Sequence, residues 1–444
     1  MSLKTFTTAA GLRTALSYLE KDPEVNIPRL MGLIEKVAPE TVQFDVVKKV
    51  LRDKDNNWNR LLSSLYSDID TEVRKTLFTN FIVNAFYLWR SEHDKLVEKY
   101  GCNIPWTVLM DPTSACNLHC TGCWAAEYGN CLNLTFEELD GIISQAKELG
   151  MRMFLFSGGE PLVRKCDILR LCEKHDDCVF LAFTNGTLID EEFASNMLRV
   201  RNFIPAISVE GFEEATDVRR GEGTYKRVER AMGILRSHKL PFGLSCCYTS
   251  QNVSVIGSEE YFDWMVDMGA KFCWLFTYMP VGVGSPTHLM VSAEQRRMMY
   301  EKVRAFRKTK PIFTIDFWND GEYVNGCVAG GKYYLHINAN GDIEPCAFIH
   351  YSDSNIRKKS LIKALQSPLF ASYRTHQPYN VNHLMPCPLL DNYGKLAEVV
   401  KESGAVSTDL EHREDVDELC EKCREKASAW AVVADELWRE RRKI

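Results

Sequence analysis

The 444-residue chain has no cysteine before Cys102, no internal repeat and no low-complexity tract. It also lacks a strong charge of either sign: 54 Lys and Arg stand against 60 Asp and Glu, a net charge of −6. The basic footprint of a general nucleic-acid binder is absent, so no nucleic-acid partner is expected. Residues 1 to 12 hold no charged segment followed by an apolar core, so a secretory signal is not expected. No apolar run is long either. The stretch Thr76–Trp89 has 14 uncharged residues, short of the roughly 20 a spanning helix needs. It reads as a core helix or an interfacial one. Hydrophobic residues make up 45% and charged residues 26%, which excludes a disordered chain.

What the chain does have is 16 cysteines. In a chain of this length, clustered thiols point to metal binding in a reducing cytoplasm rather than to a disulfide scaffold.

Three regions differ in pattern. Residues 1–104 are helical, with Leu30, Leu33, Ile34 and Val37 and then Leu77, Phe81, Ala85 and Leu88 at helical spacing. In 105–311, six β-rich runs alternate with helical segments: Thr107–Met110, Met153–Phe156, Val179–Phe183, Phe203–Val209, Phe242–Tyr248 and Phe272–Tyr278. Capping boxes are expected at Thr135/Glu138 and Ser292/Gln295. Six such units predict a parallel α/β sheet or partial barrel, with its site at the C-terminal strand ends. In 312–444 the pattern becomes α+β: a hairpin turning at Asn340-Gly341, then loops and a helix from Ala427 to Ile444.

The strongest local signal is the run Asp111-Pro-Thr-Ser-Ala-Cys116-Asn-Leu-His-Cys120-Thr-Gly-Cys123, directly after the first strand. Thiolates suit iron–sulfur clusters or zinc. Three local thiolates on a four-iron cluster leave one iron open, whereas structural zinc needs four closed ligands. The candidate fourth ligand, His119, adjoins Cys120 and is poorly placed to share a tetrahedral site. The spacing therefore favours a cluster. Other strands end in Ser157-Gly158-Gly159-Glu160-Pro161, Thr184-Asn185-Gly186 and Ser208-Val209-Glu210-Gly211, followed by Asp217-Val-Arg219-Arg220-Gly221.

In this order the motifs resemble the radical S-adenosylmethionine (SAM) superfamily over about residues 106–311. The resemblance implies a partial (β/α)6 TIM-like barrel, with SAM chelating the open iron of a [4Fe–4S] cluster on Cys116, Cys120 and Cys123. It also implies a cofactor site of Ser157, Gly158, Gly159, Glu160, Asn185, Ser208, Glu210 and Arg220. Glu160 accepts from the ammonium of SAM, Arg220 pairs with its carboxylate, and Asn185 and Ser208 contact ribose or methionine. The residue before the last cysteine is usually aromatic in the family and here is Gly122. Trp124 is expected to pack against adenine instead. Further lining is expected from Tyr128, Phe276 and Tyr278.

The C-terminal cysteines Cys327, Cys346, Cys387, Cys420 and Cys423 resemble a reduced SPASM/Twitch auxiliary domain. They imply one auxiliary [4Fe–4S] cluster on Cys327, Cys346 and two of the other three. Zinc or mononuclear iron is the alternative there. The other eight, Cys102, Cys131, Cys166, Cys172, Cys178, Cys246, Cys247 and Cys273, are expected in the core.

The implied chemistry is reductive cleavage of SAM to a 5′-deoxyadenosyl radical that abstracts hydrogen from an unactivated C–H bond. A flavodoxin or ferredoxin would donate the electron. The apolar N-terminal region reads as buried against the barrel or, alternatively, as a hydrophobic entry or a face peripheral at a membrane. Together with the reduced auxiliary domain it resembles radical SAM proteins that modify lipid chains, which implies a lipid-chain substrate for a cytoplasmic protein. A peptide or protein side chain is the alternative substrate. A non-enzymatic Fe–S carrier would explain the cysteines but not the Gly158-Gly159-Glu160 run.

Overall fold

The computed structural model describes residues 3–441 except 24, 28, 30–49 and 51. The expected helical residues Leu30, Leu33, Ile34 and Val37 lie outside the described residues. The centre of the molecule is one nine-stranded sheet in the order β7-β6-β5-β4-β3-β2-β1-β8-β9. Strands β1 (Thr107–Met110), β2 (Met153–Phe156), β3 (Val179–Thr184), β4 (Phe203–Ser208), β5 (Gly243–Tyr248) and β6 (Phe272–Thr277) fall on the six expected runs and pair in parallel. Helices intervene, and both capping boxes form. This is the partial barrel that the sequence pattern implies, with edges at β7 and β9.

Three strands beyond residue 311 extend this sheet. β7 (Phe313–Asp316) pairs with β6, and β8 (Tyr334–Ile337) pairs in parallel with β1. β8 is also the first arm of the expected hairpin, whose return strand is β9 (Ile343–Glu344). β7 escaped the sequence pattern because it is a four-residue edge strand with Phe313 half exposed. β10 (Tyr351–Ser352) and β11 (Val406–Ser407) form a separate pair.

Alternation along the strands builds the bore. Phe272, Trp274 and Phe276 of β6 face inward while Cys273 and Leu275 are fully buried behind them. Val179, Leu181 and Phe183 of β3 do the same. At the N-terminal strand ends the bore meets the helices Asn57–Asp68 and Thr71–Phe78 and a π-helix, Thr79–Leu88. Asn80 and Asn84 explain where the π-helix docks: their buried amides donate to the carbonyls of Asp176, Asp177 and Cys178. The Trp106 indole donates to the Ala85 carbonyl, and Lys271 pairs with Asp68 at 2.5 Å. The apolar run Thr76–Trp89 is thus part of this end closure. Among the described residues no helix is long and apolar enough to cross a membrane.

The C-terminal helix is longer than expected, Val416–Arg441. Its buried stripe, Val416, Leu419, Cys420, Cys423, Ala427, Trp430, Ala434 and Leu437, has helical spacing throughout. Cys420 and Cys423 occupy two positions of that stripe.

Candidate active site

A cavity of about 1050 Å³ occupies the bore. At the C-terminal strand ends its wall holds Cys116, Cys120 and Cys123 together with Ser157, Gly158, Gly159, Glu160, Asn185, Ser208 and Arg220. Of the cofactor-site residues expected in the barrel, Glu210 stands behind this wall, as does Tyr128 of the further lining. His119 is exposed and outside it. As a free thiol, Cys116 is pushed up to about 11 by burial, so metal ligation there must release a proton. Among the described residues no three His, Cys, Asp or Glu side chains converge on a point as the ligands of a single ion do.

The cysteine loop is held from three sides. Gly159 N–H donates to the Thr113 carbonyl and Glu160 N–H to that of Ala115. A Cβ on Gly159 would lie 2.3 Å from the Ala115 oxygen, and one on Gly158 would lie 2.5 Å from the Thr113 oxygen. The two glycines are therefore required by the approach of the cysteine loop itself, and not only by a cofactor. From a second side, Asn185 donates to Asn117 at 2.8 Å. From the third, Arg219 clasps Thr121: its carbonyl accepts from the Thr121 N–H at 2.9 Å, and its guanidinium donates to the Thr121 carbonyl. No role was read for Arg219 from the sequence, although its adjacency to Arg220 is the signal that marks it.

Glu160 is fully engaged on one side. Its carboxylate accepts from Leu162 N–H, Thr184 Oγ1 and Asn185 N–H at 2.9, 2.6 and 2.7 Å. A carboxylate has about four acceptor positions, so one is left for a cavity-side donor. Burial raises its pKa against the pull of these donors.

Arg220 lines the cavity and is anchored through Nε and Nη2. It makes two hydrogen bonds to Glu210, at 2.9 and 2.5 Å, and turns Nη1 toward Cys120 Sγ at 3.8 Å. Arg219 joins the same carboxylate at 2.7 Å. Glu210 is fully buried, and burial alone would raise its pKa; the two guanidiniums outweigh that and hold it below the usual carboxylate range. Arg220, expected to pair with a ligand carboxylate, is thus held in an internal Arg–Glu–Arg triad set beside the cysteines.

Trp124 reaches the wall, but its ring is enclosed by Tyr128, His336, Phe348 and His350 at centroid distances of 5.6 to 6.3 Å. Tyr128 is not on the wall; it donates to Glu344 and stacks on His350 at 4.4 Å. Phe276 and Tyr278 do line the cavity. Cys131 and Cys166 are exposed and Cys247 lines the bore, so three of the eight cysteines expected in the core are elsewhere.

Cys327, Cys346 and Cys387 line a second, small cavity, with Tyr334 donating to Cys346 Sγ at 2.7 Å. Cys420 and Cys423 do not line it. Phe317 and Phe348 are shared by both cavities, so an aromatic partition separates the two cysteine sites. The residues present fit cluster-bound SAM: three thiols sit on one wall, Glu160 has an acceptor position to spare, and the buried Tyr278 hydroxyl has no partner.

Comparison with known proteins agrees with this geometry. Residues 110–254 match the radical SAM superfamily, and residues 327–388 match SPASM, an iron–sulfur cluster-binding domain. The chain is 24% identical over 287 residues to an AdoMet-dependent heme synthase of Methanosarcina barkeri, covering 58% of this chain and 81% of that protein. It is 29% identical over 167 residues to a cysteine-type anaerobic sulfatase-maturating enzyme of Clostridium perfringens, covering 33% and 45%. In fold it is similar to SuiB of Streptococcus suis, with a TM-score of 0.56 and 20% identity over 74% of this chain and 80% of that one. SuiB has also been solved bound to its precursor peptide SuiA. The chain thus carries a radical SAM domain and a SPASM domain, and is an enzyme whose cofactors are SAM and [4Fe–4S] clusters.

Proposed function

We propose that this enzyme takes hydrogen from an unactivated C–H bond on a side chain of a peptide or protein. The observation that carries the reading is the shared wall: the cysteine triad and the partition before Cys327, Cys346 and Cys387 face one largely apolar cavity. The sulfatase-maturating relative and the peptide-bound SuiB fold favour a peptide over other substrates.

In this reading Cys116, Cys120 and Cys123 hold the catalytic cluster, and SAM supplies the hydrogen-abstracting radical. Glu160 offers its remaining acceptor position to the ammonium group of SAM. Ser157, Gly158 and Gly159 supply backbone beside it, and Asn185 and Ser208 line its path. Glu210 keeps Arg219 and Arg220 charged and fixed, so that they add positive potential beside thiolates without moving. Phe183, Trp274, Phe276 and Phe317 exclude water from the reacting carbon. Cys327, Cys346 and Cys387 hold the auxiliary cluster behind the partition, and a flavodoxin or ferredoxin supplies electrons.

A lipid chain is the second reading, and one observation favours it. The cavity continues the length of the strands to Trp58, Leu61, Leu65, Leu77 and Phe81 of the N-terminal helices. Six residues at about 3.3 Å each give a bore of roughly 20 Å, longer than a side chain needs. Trp58 and Phe81 are 41% and 43% exposed, and Phe86 is 57% exposed, so this end carries an apolar rim.

Extracts of host cells grown in deuterated medium separate the readings. Peptide, protein and lipid fractions are offered to the reconstituted enzyme with SAM and dithionite, and deuterium in 5′-deoxyadenosine is read by mass spectrometry. Label drawn from the peptide or protein fraction is expected. Label from the lipid fraction alone overturns the first reading in favour of the second.

A further inference from the structure

Gly122 lies inside the cysteine loop with φ +66°. A Cβ placed there would stand 2.6 Å from Tyr278 Cε2, 2.9 Å from its hydroxyl oxygen and 3.1 Å from Cζ. Real Cβ atoms do not approach rings so closely, so the space into which a side chain at 122 would grow is already filled. The occupant comes from the other side of the barrel. Tyr278 follows the last residue of β6, and its N–H donates to the Tyr248 carbonyl at 3.0 Å. That bond continues the β5–β6 ladder by one step and aims the ring across the bore.

Tyr278 is 2% exposed, and its buried hydroxyl has no hydrogen-bond partner. A buried hydroxyl left so is costly unless a ligand supplies the partner. Burial pushes its pKa up, so at neutral pH it is a donor without an acceptor. It stands on the wall that holds Cys116, Cys120 and Cys123. Trp124, the other aromatic near the last cysteine, is surrounded by four rings from the loop and the C-terminal segments.

We propose that Tyr278 holds the nucleoside end of SAM, its ring taking the place that Gly122 leaves open and its hydroxyl donating to an adenine nitrogen or a ribose oxygen. A glycine at 122 and a tyrosine at 278 are then one device split between two strands. The loop keeps a left-handed residue that glycine accommodates without strain, and the aromatic surface arrives from a rigid strand end. The inference rests on the SAM-cleaving reading of the triad.

The test is SAM affinity, measured by anaerobic equilibrium dialysis on the reconstituted full chain. Tyr278→Phe keeps the ring and removes only the hydroxyl. It is expected to weaken SAM binding about five- to tenfold, the worth of one hydrogen bond. Tyr278→Ala removes ring and hydroxyl and is expected to weaken binding about thirtyfold or more. Iron content reports whether the loop survives, and Tyr278→Phe, a change of one oxygen, keeps the test sound if the alanine variant loses iron. SAM affinity within twofold of wild type in Tyr278→Phe with iron retained overturns the proposal. If the wild-type chain itself binds no SAM, it is the cofactor reading that fails.

Discussion

The two cysteine sites of this molecule are built in opposite ways. Cys116, Cys120 and Cys123 share one loop after β1, and the surrounding strand ends hold that loop through Gly159, Asn185 and Arg219. Cys327, Cys346 and Cys387 come from three segments spread over 61 positions and meet only because β8 and β9 fold back on β1. The first site is local and supported by the barrel. The second assembles the fold around itself. A metal at the first should therefore matter for chemistry, and at the second for structure as well.

The largest effect should come from the local site. Cys120→Ala is expected to bring 5′-deoxyadenosine formation below detection while the chain stays folded and keeps about four irons at the auxiliary site. Iron per chain, circular dichroism and product analysis check this. Retained 5′-deoxyadenosine would falsify the assignment of the triad.

The distributed site should respond in the opposite sense. Cys387→Ala is expected to lose auxiliary iron and to lower the melting temperature, with the barrel cluster retained. Cys420→Ala should keep all its iron, because Cys420 belongs to the buried stripe of the last helix. Equal iron loss in the two variants would return Cys420 to the ligand set.

The same contrast shows what was legible in the sequence. The six central strands were readable because each is a buried β-rich run, and the triad because its ligands are contiguous. Three features were not. β7 is a four-residue edge strand beyond the six strand–helix units, with Phe313 half exposed, so the alternation that marked the others does not reach it. The ligation of Cys387 against Cys420 and Cys423 is a question of tertiary convergence, and C-x-x-C on a helix looks alike whether it faces metal or core. Arg220 was readable as a charge beside the cysteines, but its partner was not: only the fold shows that Glu210 takes both guanidiniums.

That triad of charges yields the next prediction. Glu210→Gln leaves Arg219 and Arg220 with no anion while both stay largely buried. Removing one member of a buried ion pair costs about 3–5 kcal/mol. Urea unfolding should show a loss of that order, larger than that of any exposed carboxylate such as Glu213. A loss below about 1 kcal/mol would mean that water or a cofactor group already compensates the pair.

The remaining expected effect concerns the seam between the two sites and appears only as a dependence on pH. His336 on β8 is fully buried between Glu344, 2.6 Å from its Nδ1, and Asp111, 2.9 Å from its Nε2. The Asp111 contact is close enough for an ion pair but off the alignment of a hydrogen bond. Burial by itself would lower the pKa of His336; the two carboxylates outweigh it and raise it from 6.5 to about 10. A group whose folded pKa is raised contributes stability that is complete below the unfolded value and lost as pH climbs through the folded one. The advantage of wild type over His336→Gln should therefore be full at pH 6 and shrink between pH 6.5 and about 10, by at most about 1.4 kcal/mol per pH unit. Taking the difference between the two proteins cancels the cysteines, which both share. Urea midpoints at pH 6, 7.5 and 9 suffice. A difference that stays constant across them would show that His336 is neutral in the folded chain, held by its hydrogen bond to Glu344 rather than by charge.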